Sequence, residues 1–409
     1  MFLLGTSSHA SGHDLGIHGF PSEHGHLSWE RLTPDSVVPI DHSSIQSAIN
    51  AADAGDTILV LSGTYPEAVV INRPVYLVGA DIDAPHYLMG VRTSFSLELP
   101  RIVSTYGPAL TVSADMVSVD SFHVEGGVRL DHVEKALLTE VTVSNPGPVG
   151  IEMMGTNQSR VAGMALQAST GGQSSGSIGI RISSSRDNEV GRANQISGFQ
   201  VGILVESNSQ RNIIKENEIS SGEIGVAVEA SYGNILDHNT MSQLTGPAVL
   251  VQSGSSANDL LGNEIYQAEM GLVISDGAEG RLERNKVSTR RSAISIANFQ
   301  GIYLKNNSIS SQVEPALLLQ SGVVNTVISD NQFLGSPVGL LANGIQSFQV
   351  LRNRFSNGGI GVQLTGGTSG EVSENHFWQQ FGPGMIVTSS PNLTISRNQF
   401  LKGPDWART

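Results

Sequence analysis

The 409-residue sequence has no cysteine, which excludes disulfide bonds, thiolate metal ligands and cysteine nucleophiles. Charged residues make up only 15% of the chain and aromatic residues only 5%, and no run of about 18 apolar residues exists that could span a bilayer. Asp and Glu outnumber Lys and Arg by 37 to 23, so the formal net charge is -14. This acidic balance, without any Lys/Arg-rich stretch, argues against nucleic acid as the main partner.

The first 42 residues mix Gly, Ser, Pro and His without periodicity, which predicts a polar arm at 1–42 followed by one folded domain at 43–409. Six of the 11 histidines lie in this arm: His9, His13, His18, His24, His26 and His42. Imidazole is a good ligand for copper and zinc, and His24 and His26 have the close spacing of a ligand pair. The arm is therefore interpreted either as a metal-binding segment or as a flexible, tag-like tract.

The rest of the chain is a repeat with a period near 23 residues. A small residue followed by three mostly apolar residues recurs in steps of 22 or 23, at Gly179, Gly202, Gly225, Ala248, Gly271, Ala293, Ala316, Gly339, Gly361 and Gly384. An asparagine recurs in steps of 22 to 24, at Asn194, Asn217, Asn239, Asn263, Asn285, Asn307, Asn331, Asn353, Asn375 and Asn398. Each asparagine is followed two residues later by Ile, Met, Val or Phe.

Short apolar segments between Gly, Asn and Ser corners predict strands rather than helices. A strand of four or five residues cannot bury a face alone, so the repeats are expected to stack as coils that pair with their neighbours. Asparagine tolerates the left-handed backbone of a sharp corner, and its amide can bond the asparagine of the next coil. The sequence therefore predicts an asparagine ladder beside an interior apolar stack that ends in Phe333, Phe355, Phe377 and Phe400.

The start of the domain predicts a short amphipathic helix in the segment IQSAINAADAG, with a serine N-cap before it and Gly55 just after it. Opening strands are predicted at 57–61 and 69–77. The helix is expected to cover the apolar end of the stack, which would otherwise be an exposed edge.

This opening resembles that of right-handed parallel β-helix proteins of the pectin-lyase-like superfamily. The matching residues are Ile45, Gln46, Ala48, Ile49, Ala51, Ala52, Gly55, Asp56, Thr57, Ile58, Gly63, Thr64 and Tyr65. The later Asn-x-Ile and Asn-x-Phe coils are similar to the repeats of these proteins and to the β-helix of NosD. The resemblance implies an all-β, right-handed parallel β-helix of about 14 coils with a short N-terminal capping helix.

The resemblance is much less specific for function, because the superfamily contains lyases, hydrolases, epimerases, adhesins and non-enzymes. It implies an extracytoplasmic protein, periplasmic, secreted or on the cell surface, that binds or processes polysaccharide by a lyase or hydrolase reaction. Two alternatives remain: a NosD-like accessory protein that handles copper, and a non-catalytic structural or adhesive protein whose partner is another surface protein.

In a β-helix, functional side chains come from successive coils, so candidates should share a column. One column flanks the asparagines of the last coils: Asp330, Arg352, Arg354, Glu374, His376 and Arg397. Arginine and histidine beside carboxylates could neutralise an acidic sugar and move a proton, so Arg352, Arg354, Glu374, His376 and Arg397 are the predicted catalytic residues. The alternative is an exposed ladder of alternating charges.

A second column, predicted to bind substrate, contains Glu269, Arg291 and Glu314 on successive coils, with Arg290 adjacent. The two carboxylates would lie roughly 9–10 Å apart across two coils. An inverting glycosidase tolerates about that separation. A salt-bridged trio on the surface explains the same residues without catalysis.

A third candidate lies in the segment GADIDAPHY near the N-terminal end. Asp81, Asp83 and His86 could line a site for Ca²⁺, since Asp-x-Asp suits a hard cation. A polar loop after a strand is the alternative. The Asp-Pro-His signature of alginate epimerases is not present, because an alanine follows Asp83 before the Pro-His pair.

The C-terminal end of the stack shows no clear capping element in the sequence. Trp378, Phe381 and Trp406, or a second subunit, are expected to cover it. The chain is therefore a candidate for oligomerisation through its C-terminal end.

Overall fold

The computed structural model describes residues 32–90, 98–168, 176–390 and 392–401. These residues form two short helices, α1 (Ile45–Ala51) and α2 (Ala84–Leu88), and 37 strands. Within this part of the chain, neither helix is long or apolar enough to cross a membrane. Most of the predicted histidine arm, including His24 and His26, lies outside the described residues.

Most strands are short. In some coils a single strand continues around a corner and covers two or three sides of the coil. The N-terminal coils contain β1 (Ser36–Val38), β2 (Thr57–Val60), β3 (Thr64–Tyr65), β4 (Val69–Ile71), β5 (Tyr76–Gly79), β6 (Arg101–Val112), β7 (Ser118–Asp131), β8 (Leu137–Ser144), β9 (Val149–Met154), β10 (Arg160–Ala162) and β11 (Ala165–Gln167). The central coils contain β12 (Ile178–Ser183), β13 (Glu189–Gly191), β14 (Gln195–Ser197), β15 (Val201–Glu206), β16 (Ile213–Lys215), β17 (Glu218–Ser220), β18 (Ile224–Glu229), β19 (Ile235–Asp237), β20 (Thr240–Gln252), β21 (Ser256–Leu261), β22 (Glu264–Glu283), β23 (Lys286–Thr289), β24 (Ile294–Lys305) and β25 (Ser308–Ser311). The C-terminal coils contain β26 (Leu317–Leu319), β27 (Val324–Ser329), β28 (Gln332–Leu334), β29 (Val338–Asn343), β30 (Gln346–Leu351), β31 (Arg354–Ser356), β32 (Ile360–Thr365), β33 (Gly370–Ser373), β34 (His376–Trp378), β35 (Met385–Val387), β36 (Leu393–Ser396) and β37 (Gln399–Leu401).

The strands stack into three parallel ladders that run along the protein. We call them face A (for example β12, β15 and β18), face B (β13, β16 and β19) and face C (β11, β14 and β17). The chain passes from A to B to C in each coil, and the predicted solenoid is confirmed, with about 15 coils.

The predicted asparagine ladder is present at the corner between faces B and C. From Asn194 to Asn398, each asparagine Nδ2 donates to Oδ1 of the next one, at distances of 2.7–3.1 Å. The Oδ1 atoms from Asn239 to Asn398 also accept the backbone N–H of the preceding ladder asparagine, and Oδ1 of Asn194 accepts that of Met164. From Asn194 to Asn375 the side chains are almost fully buried, so the ladder satisfies backbone groups that water cannot reach.

One detail of the prediction is wrong: the ladder asparagines do not adopt the left-handed backbone. The residue before each asparagine does, at φ of 51° to 66°. These residues are Ala193, Glu216, His238, Gly262, Arg284, Asn306, Asp330, Arg352, Glu374 and Arg397. The asparagine side chain must point inward to bond the next coil. The outward-facing residue before it therefore adopts the left-handed conformation of the corner.

A second asparagine ladder lies at the corner between faces A and B and was not predicted. Asn188, Asn212, Asn234 and Asn258 bond in series at 2.9–3.1 Å, and all four are buried. Their steps of 22 to 24 residues follow the same repeat as the first ladder.

The interior stack is confirmed and ends in four aromatic rings. Phe333, Phe355, Phe377 and Phe400 stack nearly parallel, with ring centroids 4.6, 5.0 and 4.7 Å apart. The first three are buried, whereas Phe400 is 56% exposed. Together with the aliphatic residues of earlier coils, the buried rings belong to one continuous core.

The predicted N-terminal helix is confirmed, with Ser44 as its N-cap and Ile45, Ala48 and Ile49 packed in the main core. It ends at Ala51, earlier than the predicted segment. Strand β1 lies inside 1–42 but pairs in register with β2 and buries Val37 and Val38. The described end of the predicted arm is therefore part of the solenoid.

At the other end, Phe381 is 76% exposed and Trp378 is half-buried. A cavity of about 320 Å³ opens there between the last described coils, beside Phe377 and Phe400. Trp406 lies outside the described residues, and oligomerisation through this end stays a prediction.

Candidate functional site

The charged residues at the corner of the last coils form ion pairs between neighbouring coils. Arg352 donates from Nε to Oδ1 of Asp330 at 2.8 Å and from Nη2 to Oδ2 at 3.1 Å. The next two coils repeat this pairing, with Arg397 3.2 Å from Glu374. The hydrogen bonds from Arg352 hold the pKa of Asp330 below its usual value. Asp330 is therefore ionised and neutralised by Arg352, as in a surface charge ladder.

Arg354 and His376 lie next to this corner, on face C. They are opposite each other on β31 and β34, and both are exposed. The five residues predicted to be catalytic therefore do meet on neighbouring coils. Three of them are held in ion pairs, so their catalytic role stays a prediction.

The predicted Glu–Arg–Glu trio is divided between two ion pairs. Arg291 donates from Nε to Glu314 at 2.8 Å, whereas Glu269 pairs with Arg290 at 3.2 Å. The backbone N–H and the hydroxyl of Ser292 donate to the other oxygen of Glu314, at 3.2 and 3.0 Å. Arg291, followed by Ser292, lowers the pKa of Glu314. This arrangement corresponds to the surface interpretation, and substrate binding there stays a prediction.

The segment at Asp81, Asp83 and His86 is a capped helical turn. Asp83 is the N-cap of α2, because its Oδ1 accepts the backbone N–H of His86 at 3.0 Å and lies 2.6 Å from His86 Nδ1. These bonds lower the pKa of Asp83. Across residues 32–90, 98–168, 176–390 and 392–401, no group of three or more His, Cys, Asp or Glu side chains could hold a metal ion. The carboxylate of Asp83 thus caps the helix, and Ca²⁺ binding at Asp81, Asp83 and His86 stays a prediction.

An open groove of about 610 Å³ lies on face B of the central coils and was missed by the sequence analysis. We call it the face B groove. It is lined by Ala257, Asp259, Ala278, Glu279, Gly280, Arg281, Gln300, Gly301, Tyr303 and Asn325.

Small residues open this groove. A Cβ at Gly280 would lie 2.9 Å from the backbone oxygen of Asn258, so a larger side chain there would require the coil to shift. Gly301 takes the left-handed corner conformation at φ +73°. Ala257 and Ala278 add little volume, which leaves room above the strands.

Three side chains on successive strands provide the charged and aromatic groups of the groove. Asp259, Arg281 and Tyr303 are paired in register on β21, β22 and β24. Arg281 donates from Nε to Asp259 Oδ2 at 3.1 Å, which holds the guanidinium in place and raises its pKa. The ring of Tyr303 is 55% exposed beside it. The groove thus combines an aromatic platform with planar polar groups fixed on a rigid sheet.

A sequence signal for this groove existed. Asp259, Arg281 and Tyr303 are spaced by 22 residues, the same step as the asparagines.

The stacked coils and asparagine ladders define a parallel β-helix protein. Residues 109–290 and 253–405 match the family model described as "Periplasmic copper-binding protein (NosD)". Since the two matches together span more than half of the sequence, the chain belongs to the NosD family. No curated protein matches the chain.

Two solved structures with TM-scores above 0.5 share the fold at low sequence identity, and a third is reported beside them. The PL6 family polysaccharide lyase Pedsa3628 from Pseudopedobacter saltans is 12% identical, with a TM-score of 0.52 over 88% of this chain and 92% of that one. The tailspike protein 3 of bacteriophage CBA120 is also 12% identical, with a TM-score of 0.53 over 89% of this chain and 59% of that one. The mannuronan C-5 epimerase AlgE6 A-module from Azotobacter vinelandii is 17% identical, with a TM-score of 0.45 over 88% of this chain and 94% of that one. At these identities the likeness concerns the fold alone.

Proposed function

We propose that this protein is an extracytoplasmic β-helix that binds polysaccharide in the face B groove. The observation that carries the proposal is the row of Asp259, Arg281 and Tyr303 across the open groove. Sugar rings have an apolar face that packs on an aromatic ring and hydroxyls that bond to fixed planar groups. The family description as periplasmic supports the location.

The charge of the groove favours a neutral or weakly charged polysaccharide. Asp259 neutralises Arg281, and Glu279 adds a further carboxylate to the lining. The chain as a whole carries a formal charge of -14, which repels polyanions. Binding without turnover fits this groove best, because its arginine and its aspartate are engaged with each other.

Replacing Tyr303 with alanine is expected to weaken polysaccharide binding about tenfold, or ~1.4 kcal/mol, since the stacking platform is removed. A glycan array would identify the ligand, and calorimetry would compare the variants. Tyr266→Ala is the matched control, because Tyr266 is similarly exposed, at 42%, but does not line the groove. Equal losses in both variants, or binding to no glycan on the array, would contradict the proposal.

A second candidate function is copper binding, which is favoured by the family description. The described residues contain no group of three potential metal ligands, so copper would have to rest on the histidine-rich arm. Removing residues 1–31 is expected to abolish Cu²⁺ binding measured by calorimetry while leaving the thermal midpoint unchanged, because β1 and its buried valines are kept. His24→Ala with His26→Ala tests the close pair within the full chain. Undiminished Cu²⁺ affinity after the truncation would exclude the arm as the site.

A further inference from the structure

A compact polar cluster lies on face C of the N-terminal coils, away from the groove and from every candidate predicted from the sequence. Strands β6, β7 and β8 bring its members together, with Arg101 opposite His123 and Glu125 opposite Ser144. All four side chains are half-buried on the outer side of the sheet. The Nε2 atom of His123 lies 2.7 Å from Oγ of Ser144, one coil along the stack.

The surroundings of His123 favour a neutral imidazole. Burial, and then the positive charge of Arg101, lower the pKa of His123 below its usual value of 6.5. Arg101 is paired with Glu125, whose other oxygen accepts the side-chain N–H of Asn145 at 3.2 Å. With the ring proton on Nδ1, the lone pair of Nε2 accepts the hydroxyl proton of Ser144.

We propose that Ser144 and His123 form a nucleophile and general-base pair that hydrolyses acyl esters. Oγ of Ser144 forms a bond to the ester carbonyl carbon while His123 Nε2 takes the hydroxyl proton. The ester C–O bond then breaks, and the departing oxygen receives that proton and leaves as an alcohol. Water then loses a proton to the same nitrogen and forms a bond to the acyl carbon. The acyl–Oγ bond breaks, Nε2 returns the proton to Oγ of Ser144, and the carboxylic acid leaves.

The geometry favours this chemistry over proton abstraction from an acidic sugar. A lyase base must point its lone pair at the substrate carbon, whereas Nε2 here is directed at a hydroxyl. Arg101 lies opposite His123 on the preceding coil, where its ion pair with Glu125 holds the guanidinium in place.

The surroundings suit an O-acylated carbohydrate as the substrate class. Strand β6 bulges at residues 104–107, directly after Val103, which lies opposite Glu125. The bulge presents Tyr106, which is 89% exposed, at the edge of the cluster. An exposed phenol ring on this bulge can hold a sugar ring. This activity uses none of the residues of the face B groove. Its presence or absence is therefore independent of polysaccharide binding in that groove.

The test is hydrolysis of p-nitrophenyl acetate by the full chain and its variants. Ser144→Ala and His123→Asn are each expected to lower the rate at least about 100-fold. Ser197→Ala is the matched control, since Ser197 lies two coils further in the same outward column and is expected to leave the rate unchanged. A rate for the Ser144→Ala variant equal to that of the unaltered chain would overturn the proposal.

Two further readouts separate catalysis from a structural hydrogen bond. A fluorophosphonate probe should label Ser144 of the unaltered chain, as mapped by peptide mass, and this needs no variant to fold. The rate should fall at acid pH with a midpoint below 6.5, because burial and then the charge of Arg101 lower the pKa of His123, against the opposing effects of Glu125 and Glu98. Labelling at other serines only would refute the assignment of Ser144.

The substrate class is tested with acetylated xylan, from which the unaltered chain is expected to release acetate. Failure to release acetate from acetylated xylan, despite p-nitrophenyl acetate turnover, would refute carbohydrate as the substrate.

Discussion

Replacing Asn263 with alanine is expected to lower the free energy of unfolding by about 3–5 kcal/mol, although only one polar side chain is removed. Asn263 lies in the middle of the first ladder and is fully buried. Its Oδ1 accepts both the backbone N–H and the side-chain N–H of Asn239 at 3.0 Å, and its Nδ2 donates to Leu236 and Asn285 at 2.8 and 3.0 Å. Alanine leaves the backbone groups of Asn239 and Leu236 buried without these partners, and each such group costs ~1–3 kcal/mol.

The measurement is the urea midpoint followed by circular dichroism, with hydrogen exchange to locate the change. Because each coil contacts only its neighbours, exchange should increase most in the coils of Asn239 and Asn285. Asn343→Ala is the control, since Asn343 is exposed on face A and should change the stability by less than ~0.5 kcal/mol. Equal shifts for the two variants would show that the ladder is not a main source of stability.

Replacing Phe355 with alanine is expected to cost about 3–5 kcal/mol, because it opens a cavity inside the aromatic stack. Phe355 is 1% exposed and stacks on a ring at each side, at 4.6 and 5.0 Å. The backbone of Gly339 packs tightly against it, since a Cβ there would lie 2.5 Å from the ring. The surrounding coils are therefore shaped to a phenyl ring and have little freedom to collapse into its place.

Phe400→Ala is the matched control within the same stack. Phe400 contacts only one stacked ring among the described residues and is 56% exposed, so its loss removes less buried surface and leaves no enclosed cavity. Thermal unfolding of both variants should give a clearly larger decrease for Phe355. A larger decrease for Phe400 would mean that the end of the stack is buried by contacts beyond the described residues.

The architecture was largely predictable because the repeat is a local pattern copied many times. A buried asparagine and an apolar residue two positions later recur with nearly constant spacing, and only stacked coils bring such positions together. The second ladder at Asn188, Asn212, Asn234 and Asn258 follows the same spacing and could have been found by the same reasoning.

The backbone of the corners was not predictable from residue preference alone. Asparagine favours the left-handed region, yet the residues before the ladder asparagines adopt it, including Arg352 and Glu374. Burial of the amide decides this, because its hydrogen bonds to the next coil outweigh the small cost of placing another residue in the strained conformation.

The sequence by itself determined the fold, the ladder and the aromatic stack, since each depends on a regular period. It also determined the capping helix, since the serine N-cap and the apolar spacing are local signals. Only the tertiary structure decided which charges neutralise one another, as with Arg291 and Glu314 rather than Glu269. It also brought His123 beside Ser144, in the N-terminal coils where the repeat is least regular. Contacts between coils depend on exact register and side-chain reach, and an irregular stretch of sequence does not specify either one.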